Sequence, residues 1–238
     1  MIYGRRVLAV VPARGGSKGI PLKNLREIQG RSLVALASET AREVPEIDRR
    51  VISTDHEMIA QAAIRAGLDA PFRRPPEISG DRISDWEVLQ HALLTMENLD
   101  QVTYDIVVML QPTSPLRRVS DVAGTIRMLV EQDLDAVWSV SMTDSKSHPL
   151  KQLVIRDHRM DYWDSRGATI IARQQLEPVY HRNGVAYAIS RSCLMEQGSI
   201  KGERTGAYVV EGTQISIDTE WDIELVEFAL SRGLSSLP

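Results

Sequence analysis

Arg14, Lys18 and Lys23 fall close together, separated by Gly15, Gly16 and Gly19, in the run Val11-Pro-Ala-Arg-Gly-Gly-Ser-Lys-Gly-Ile-Pro-Leu-Lys-Asn24. Cations among glycines suit phosphate. The glycines let backbone N–H groups approach the oxygens closely, and the side chains neutralise the charge. The run follows Val7-Leu-Ala-Val-Val11, short and rich in β-branched residues, which reads as a buried strand. Two widespread phosphate motifs do not fit. The Walker pattern needs four residues between its glycines and ends in Lys-Ser/Thr, whereas Gly15 and Gly16 are adjacent and Gly19 follows Lys18. The dinucleotide pattern Gly-x-Gly-x-x-Gly is also absent. The competing reading is a basic surface turn. Three cations, three glycines and a proline crowded at one strand end favour a nucleotide-handling enzyme.

Two further segments carry candidate chemistry. Leu110-Gln-Pro-Thr-Ser-Pro-Leu-Arg117 follows the strand-like run Asp105-Ile-Val-Val-Met-Leu110. Its prolines fix the path of the loop, and Gln111, Thr113 and Ser114 offer hydrogen-bonding groups to a ligand. Ser120 reads instead as a helix cap. In Ile217-Asp-Thr-Glu-Trp-Asp222, Asp218 stands between a strand end and a helix, where it can cap the helix or bind a hard cation. Magnesium takes one or two protein carboxylates, with phosphate oxygens and water completing its shell. A phosphoryl-transfer enzyme of this composition needs such an ion to neutralise departing pyrophosphate.

Composition narrows the class. The 238 residues suit one large domain or one domain with a small appendage. Hydrophobic residues at 43% and charged residues at 25% are ordinary for a soluble globular protein. A net charge of −4 argues against a nucleic-acid footprint and makes the basic loop a local anion site. The single Cys193 excludes an internal disulfide framework and reads as a small buried hydrophobe. The chain start lacks a secretory apolar region and no run approaches membrane length, so a cytoplasmic enzyme with no membrane partner is expected.

The elements that must position these residues alternate. Strands are predicted at Val7–Val11, Arg50–Thr54, Asp105–Leu110 and Asp135–Val140. Helices are predicted at Ser32–Val44, His56–Gly67, Ser84–Asn98 (capped by Ser84 or Asp85) and Ser120–Gln132. The alternation predicts an α/β fold with a doubly wound, mostly parallel sheet, whose ligands bind outside the carboxyl ends of the strands. The Gly-rich loop, Thr54-Asp55 and the Gln111 segment would share that edge. From about 141 to 190 the pattern turns β-rich. It includes a hairpin turning at Arg156–Arg159 and a strand at Val185–Ile189, read as an insertion that pairs with a second subunit. A last helix is predicted at Thr219–Arg232. The whole of 1–238 is read as a single domain carrying that insertion.

The two specific motifs, Arg14-Gly-Gly-Ser-Lys-Gly-Ile-Pro-Leu-Lys-Asn24 and Leu110-Gln-Pro-Thr-Ser-Pro-Leu-Arg117, resemble those of the acylneuraminate cytidylyltransferase family, the CMP–sialic acid synthetases and their relatives. Arg74-Pro, His148-Pro-Leu-Lys151, Arg173-Gln-Gln, Asn183-Gly-Val-Ala-Tyr187 and Ile217-Asp-Thr-Glu220 match further positions in order, over about Val7 to Leu230. The resemblance implies a Rossmann-like nucleotidyltransferase. The anomeric hydroxyl of a nonulosonic acid would attack the α-phosphate of CTP, releasing pyrophosphate and forming a CMP–sugar. Arg14, Gly15, Gly16, Ser17, Lys18 and Lys23 would hold the triphosphate, with Lys23 stabilising charge at the reacting phosphate. Asn24 and Arg74 would read cytosine, and Ser84 would touch the nucleotide. Gln111, Thr113, Ser114, Asn183 and Tyr187 would line the acid's pocket, and Asp218 would hold Mg²⁺. The insertion would mediate a homodimer and carry Lys151 and Arg173 in trans to the substrate carboxylate.

Three positions depart from the family's pattern. Ser216 stands where many relatives carry a second Asp, His181 where they often carry Arg, and Ile200-Lys201 where some carry an aromatic pair. These departures bear on the acid more than on cytidylyl transfer. Sialic acid is the first candidate, with legionaminic, pseudaminic and deaminated sugars next. The octulosonate enzymes fit less well because their nucleotide loop lacks the Gly-Gly-Ser-Lys-Gly run. The remaining alternatives are a small non-sugar acid and a catalytically silent nucleotide-binding relative.

Overall fold

A computed structural model describes residues 1–234, so the last four residues of the domain expected over 1–238 lie outside the described residues. The strands are β1 (Val7–Pro12), β2 (Glu27–Ile28), β3 (Arg31–Ser32), β4 (Arg49–Ser53), β5 (Ile106–Met109), β6 (Ala136–Met142), β7 (Leu153–Arg156), β8 (Arg159–Tyr162), β9 (Tyr180–Ser190) and β10 (Thr205–Val209). The helices are α1 (Leu33–Glu43), α2 (Glu57–Arg65), α3 (Asp85–Asp100), α4 (Val119–Glu131), α5 (Arg191–Met195) and α6 (Glu220–Ser231).

Six strands form the central sheet in the order β10-β6-β9-β5-β1-β4. Strand β1 pairs in parallel with both β4 and β5, and β6 pairs in parallel with β10. Strand β9 runs antiparallel between β5 and β6. The sheet is thus mostly parallel, as the alternation predicted. The continuous apolar run of β1 follows from its place between β5 and β4, where both faces are covered. Val7, Ala9 and Val11 pack on one face with Val34 and Ala37 of α1, Ile59 of α2 and Ile126 of α4. Leu8 and Val10 pack on the other with Leu89 and Leu93 of α3 and Leu194 of α5. Helices on both faces make the sheet doubly wound.

A smaller core lies under the Gly-rich loop. Ile20, Leu36, Leu116, Ile217, Ile223 and Val226 cluster there, joining the loop to the Gln111 segment, α1 and α6. Burial of these side chains brings chain positions nearly two hundred residues apart to one edge of the sheet.

The β-rich stretch differs in one respect from its sequence reading. Strand β9 lies wholly within the stretch read as an insertion, about 141–190, but it is a strand of the central sheet, buried from Asn183 to Ile189. The insertion proper is the β7–β8 hairpin and its flanking turns. The hairpin pairs Leu153 with Tyr162 and Ile155 with Met160, and turns at Asp157-His158, both with positive φ. That is the conformation a two-residue hairpin needs to match strand twist. Strand β10 and the short β2–β3 ladder also escaped the sequence reading.

Candidate functional site

The carboxyl ends of β1 and β5 open onto a cavity of about 710 Å³. The loop after β1 supplies Arg14, Ser17, Lys18, Lys23 and Asn24 to its wall, and Arg74 joins them from the segment after α2. Gln111 and Thr113 enter from the loop after β5, and Ser216 and Asp218 from the segment before α6. All three sequence segments singled out for chemistry therefore meet at one place.

Local hydrogen bonds explain the loop's path. Gly15 donates its N–H to Asp55 Oδ1 at 2.9 Å, which ties the loop to the end of β4. Asn24 is buried and donates from Nδ2 to the Arg14 carbonyl at 3.0 Å, closing the loop on itself. Gly19 sits against the chain before α6, where a Cβ would lie 2.8 Å from the Asp218 carbonyl oxygen. Any larger residue there would push the two segments apart. Thr113 accepts a 2.8 Å hydrogen bond from Ile217 N–H, fixing the third edge of the same triangle.

Lys23 and Asp218 form the centre of the polar wall. Lys23 Nζ donates to Asp218 Oδ1 at 2.9 Å and to the Ile217 carbonyl at 2.8 Å. The lysine side chain is 17% exposed and the aspartate 75%. The two sequence readings of Asp218 are resolved in part. The cap of α6 is Thr219, whose hydroxyl accepts from Asp222 N–H, while Asp222 accepts from the backbone N–H groups of Asp218 and Thr219. The Asp218 carboxylate is not used as a cap and faces the cavity. A carboxylate so exposed beside a phosphate-sized basic wall fits a magnesium ion whose other ligands are phosphate oxygens and water.

Arg74 is buried, donates from Nε to Ser79 Oγ at 3.2 Å and lies 4.0 Å from Asp55. Burial lowers its pKa, with Asp55 opposing the shift. Gly15 and Gly16 shape the loop without lining the cavity. Ser84 caps α3: its hydroxyl and N–H are engaged by Glu87 in a capping box, and its neighbours Ile83 and Asp85 face the cavity instead.

The residues expected at the acid's pocket divide into two groups. Gln111 and Thr113 reach the cavity. Ser114, Asn183 and Tyr187 are buried behind it in a connected polar network. Ser114 Oγ donates to the Asn183 carbonyl at 2.7 Å. Asn183 Oδ1 accepts from Ser139 Oγ at 2.6 Å and from Val185 N–H at 3.1 Å, while its Nδ2 donates to Ser141 Oγ at 3.0 Å. Tyr187 Oη accepts from Gly184 N–H at 3.0 Å, and burial raises the phenol's pKa. Gly184 has φ +72°, and a Cβ there would meet Gln111 Oε1 and Ser114 Oγ at 2.5 Å. The network thus presses the Gln111 loop against β9.

Arg117 completes this network and was not anticipated. It is 1% exposed and donates from Nε to the Val185 carbonyl at 2.8 Å and from Nη2 to the carbonyls of Gly184 and Gln111. Full burial lowers its pKa to about 9. Asp81 and Asp85 are two further cavity residues that the motif reading passed over. Burial raises the pKa of Asp85, opposed by Arg182. The motif's final Arg and the acidic residues flanking Ser84 were visible in the sequence, but nothing in their spacing marked them.

Lys151 and Arg173 do not reach this cavity. They sit on exposed turns, Pro149–Lys151 and Arg173–Gln175, on either side of the β7–β8 hairpin. His148 anchors the first turn by accepting from Leu150 N–H at 3.1 Å.

Known proteins share both sequence and architecture. An N-acylneuraminate cytidylyltransferase of Streptococcus agalactiae is 28% identical over 90% of this chain and 51% of its own length. A CMP-N,N'-diacetyllegionaminic acid synthase of Legionella pneumophila is 31% identical over 98% of this chain and 97% of its own. Among solved structures, a CMP:2-keto-3-deoxy-manno-octonic acid synthetase complexed with CTP superimposes with a TM-score of 0.68 at 19% identity, over 96% of this chain and 99% of that one. The cytidylyltransferase family model matches residues 8–226, which takes in the Gly-rich loop, the Gln111 segment and Asp218 alike, and the chain belongs to that family.

Proposed function

We propose that the protein transfers the CMP unit of CTP to the anomeric hydroxyl of a nonulosonic acid of the sialic type and releases pyrophosphate. The observation that carries this reading is the meeting of Arg14, Lys18, Lys23 and Asp218 with Gln111 and Thr113 around one cavity at the sheet's ligand edge. One side is suited to a triphosphate and the other to a polyhydroxylated acceptor.

In the reaction, the acceptor oxygen bonds to the α-phosphorus while the bond to the β-phosphate bridging oxygen breaks, and the hydroxyl proton passes to solvent. Lys23, held by the Ile217 carbonyl, keeps a fixed positive charge at the phosphorus where negative charge builds. Arg14, Ser17 and Lys18 hold the departing phosphates. Asn24 and Arg74, both buried at the cavity wall, are the residues for the cytosine edge. Asp218 is the residue that would hold Mg²⁺, which would supply charge neutralisation of the leaving group. Gln111 and Thr113 contact the acid, while Ser114, Asn183 and Tyr187 hold those contacts in place. CTP as co-substrate supports action in the cytoplasm.

The partner is a second copy of the chain. Leu153, Ile155, Met160 and Tyr162 lie on one face of the hairpin, and all four side chains are exposed in the single chain. Such an apolar face at the tip of an arm supports burial against another subunit. In that assembly Lys151 and Arg173 serve the partner's acid pocket.

A second reading of the acceptor, N,N'-diacetyllegionaminic acid, is favoured by the Legionella relative, which matches nearly end to end. The test is pyrophosphate release from CTP and Mg²⁺ across sialic, legionaminic, pseudaminic and deaminated nonulosonic acids, with the CMP product identified by mass. Turnover with one of these acids is expected. Turnover only with a non-sugar acid, or none despite CTP binding, would overturn the reading.

A further inference from the structure

The basic wall of the cavity pairs with an anion from the chain itself. Asp81 Oδ1 lies 2.7 Å from Arg14 Nη1, and Asp81 Oδ2 lies 2.5 Å from Lys18 Nζ. Among the described residues no other carboxylate pairs with both cations. Asp81 lies outside the Gly-rich motif, between the Pro76–Ile78 turn and α3, and it lines the cavity next to Gly80. The hydrogen bond from Lys18 holds its carboxyl below the usual carboxylate range, with Arg14 adding to the effect.

The contact has the chemistry of a bound phosphate. A carboxylate offers two acceptor oxygens to the same donors that take phosphate oxygens in bidentate fashion. It has little structural purpose. Asp81 and Arg14 are each about a third exposed and Lys18 is mostly exposed, and ion pairs at such sites add little to folding stability. We infer that Asp81 is an intramolecular occupant of the seat for the β- and γ-phosphates, which leaves when CTP enters and returns as pyrophosphate departs. This rests on the reading of the cavity as a CTP site. By population-shift arithmetic, the seat's affinity for a free polyphosphate is reduced by the fraction of molecules in which Asp81 occupies it. The result is weaker CTP binding together with easier release of pyrophosphate. CMP, which lacks the β- and γ-phosphates, does not compete with Asp81.

The test is calorimetric titration of the full chain with Mg²⁺–pyrophosphate, Mg²⁺–CTP and CMP, for the wild type, Asp81→Asn and Asp81→Ala. Because exposed ion pairs are weak, tightening of pyrophosphate and CTP by about three- to tenfold is expected in both variants. CMP affinity stays within about twofold. The two variants differ in side-chain volume, so agreement between them excludes a packing artefact. Unchanged or weaker pyrophosphate binding in the variants would overturn the inference. So would equal tightening of CMP, which would mark a general field effect of one lost negative charge. A wild type that binds neither CTP nor pyrophosphate would bring down the CTP reading itself, a different failure from either of these.

Discussion

Lys23 is tightly constrained at the site, because two acceptors on the segment before α6 fix its ammonium in place. A charge held in place before the reaction is worth more to a transition state than one that must be ordered during it. Lys23→Ala is therefore expected to lower kcat by about two to three orders of magnitude, while circular dichroism and unfolding midpoint stay close to the wild type. Near-normal turnover in the purified variant would remove the role. Asp218→Asn keeps the side chain's shape and removes its charge. The Mg²⁺ concentration for half-maximal activity is expected to rise, and an unchanged titration would take Asp218 out of the metal site. At this scale the sequence was most informative where chemistry demands an unusual composition. Three cations among glycines can be read without a structure. Asp81 could not, because a single aspartate in a polar loop looks like any solvated residue until its partners are known.

Strand ends and the loops that leave them do the positioning. The β-α alternation was legible because buried parallel strands need continuous apolar runs and amphipathic helices need spaced ones. Ser84 caps α3 as expected, but two other cap readings were off by one or two residues: α6 is capped by Thr219 and not Asp218, and α4 starts at Val119 with Arg118 at its cap position and the Asp121 carboxylate accepting from Arg118 N–H, which puts Ser120 inside the first turn. Strand β9 was harder. Its first residues are exposed and polar and its later ones buried, so the sequence looked like an arm rather than a central strand. Its antiparallel course is set by long-range pairing with β5 and β6, which no local pattern encodes. The same pairing explains why Asn183 and Tyr187, matched by motif to substrate contacts, lie in the buried network behind the Gln111 loop. Asn183→Ala leaves Ser139, Ser141 and Val185 N–H short of partners. A loss of about 1–3 kcal/mol in urea unfolding is expected, with a higher KM for the acid than for CTP relative to the wild type. A variant of unchanged stability would contradict the network's role.

The whole molecule places a cation-lined cavity at one edge of a doubly wound sheet and projects a hairpin with an exposed apolar face. The first follows from topology, since ligands of such sheets bind at the carboxyl ends of strands. The second is the surface proposed to pair with a second copy, and the sequence signals it only through alternating apolar residues around a turn. Ile155→Asp together with Met160→Asp is expected to shift the protein from dimer to monomer in light scattering. Arg173→Ala, in the intact assembly, is expected to raise the KM for the acid more than that for CTP. A variant hairpin that stays dimeric, or equal effects on both substrates, would count against the arm's role. The central claim is transfer of the α-phosphoryl group to the acid. Its most direct test follows CTP labelled at the α-phosphorus through a single turnover with the acid that supports pyrophosphate release. The account predicts that the label leaves with the sugar acid as a CMP conjugate while unlabelled pyrophosphate accumulates. Label recovered in free CMP or inorganic phosphate, with no acid conjugate, would contradict it.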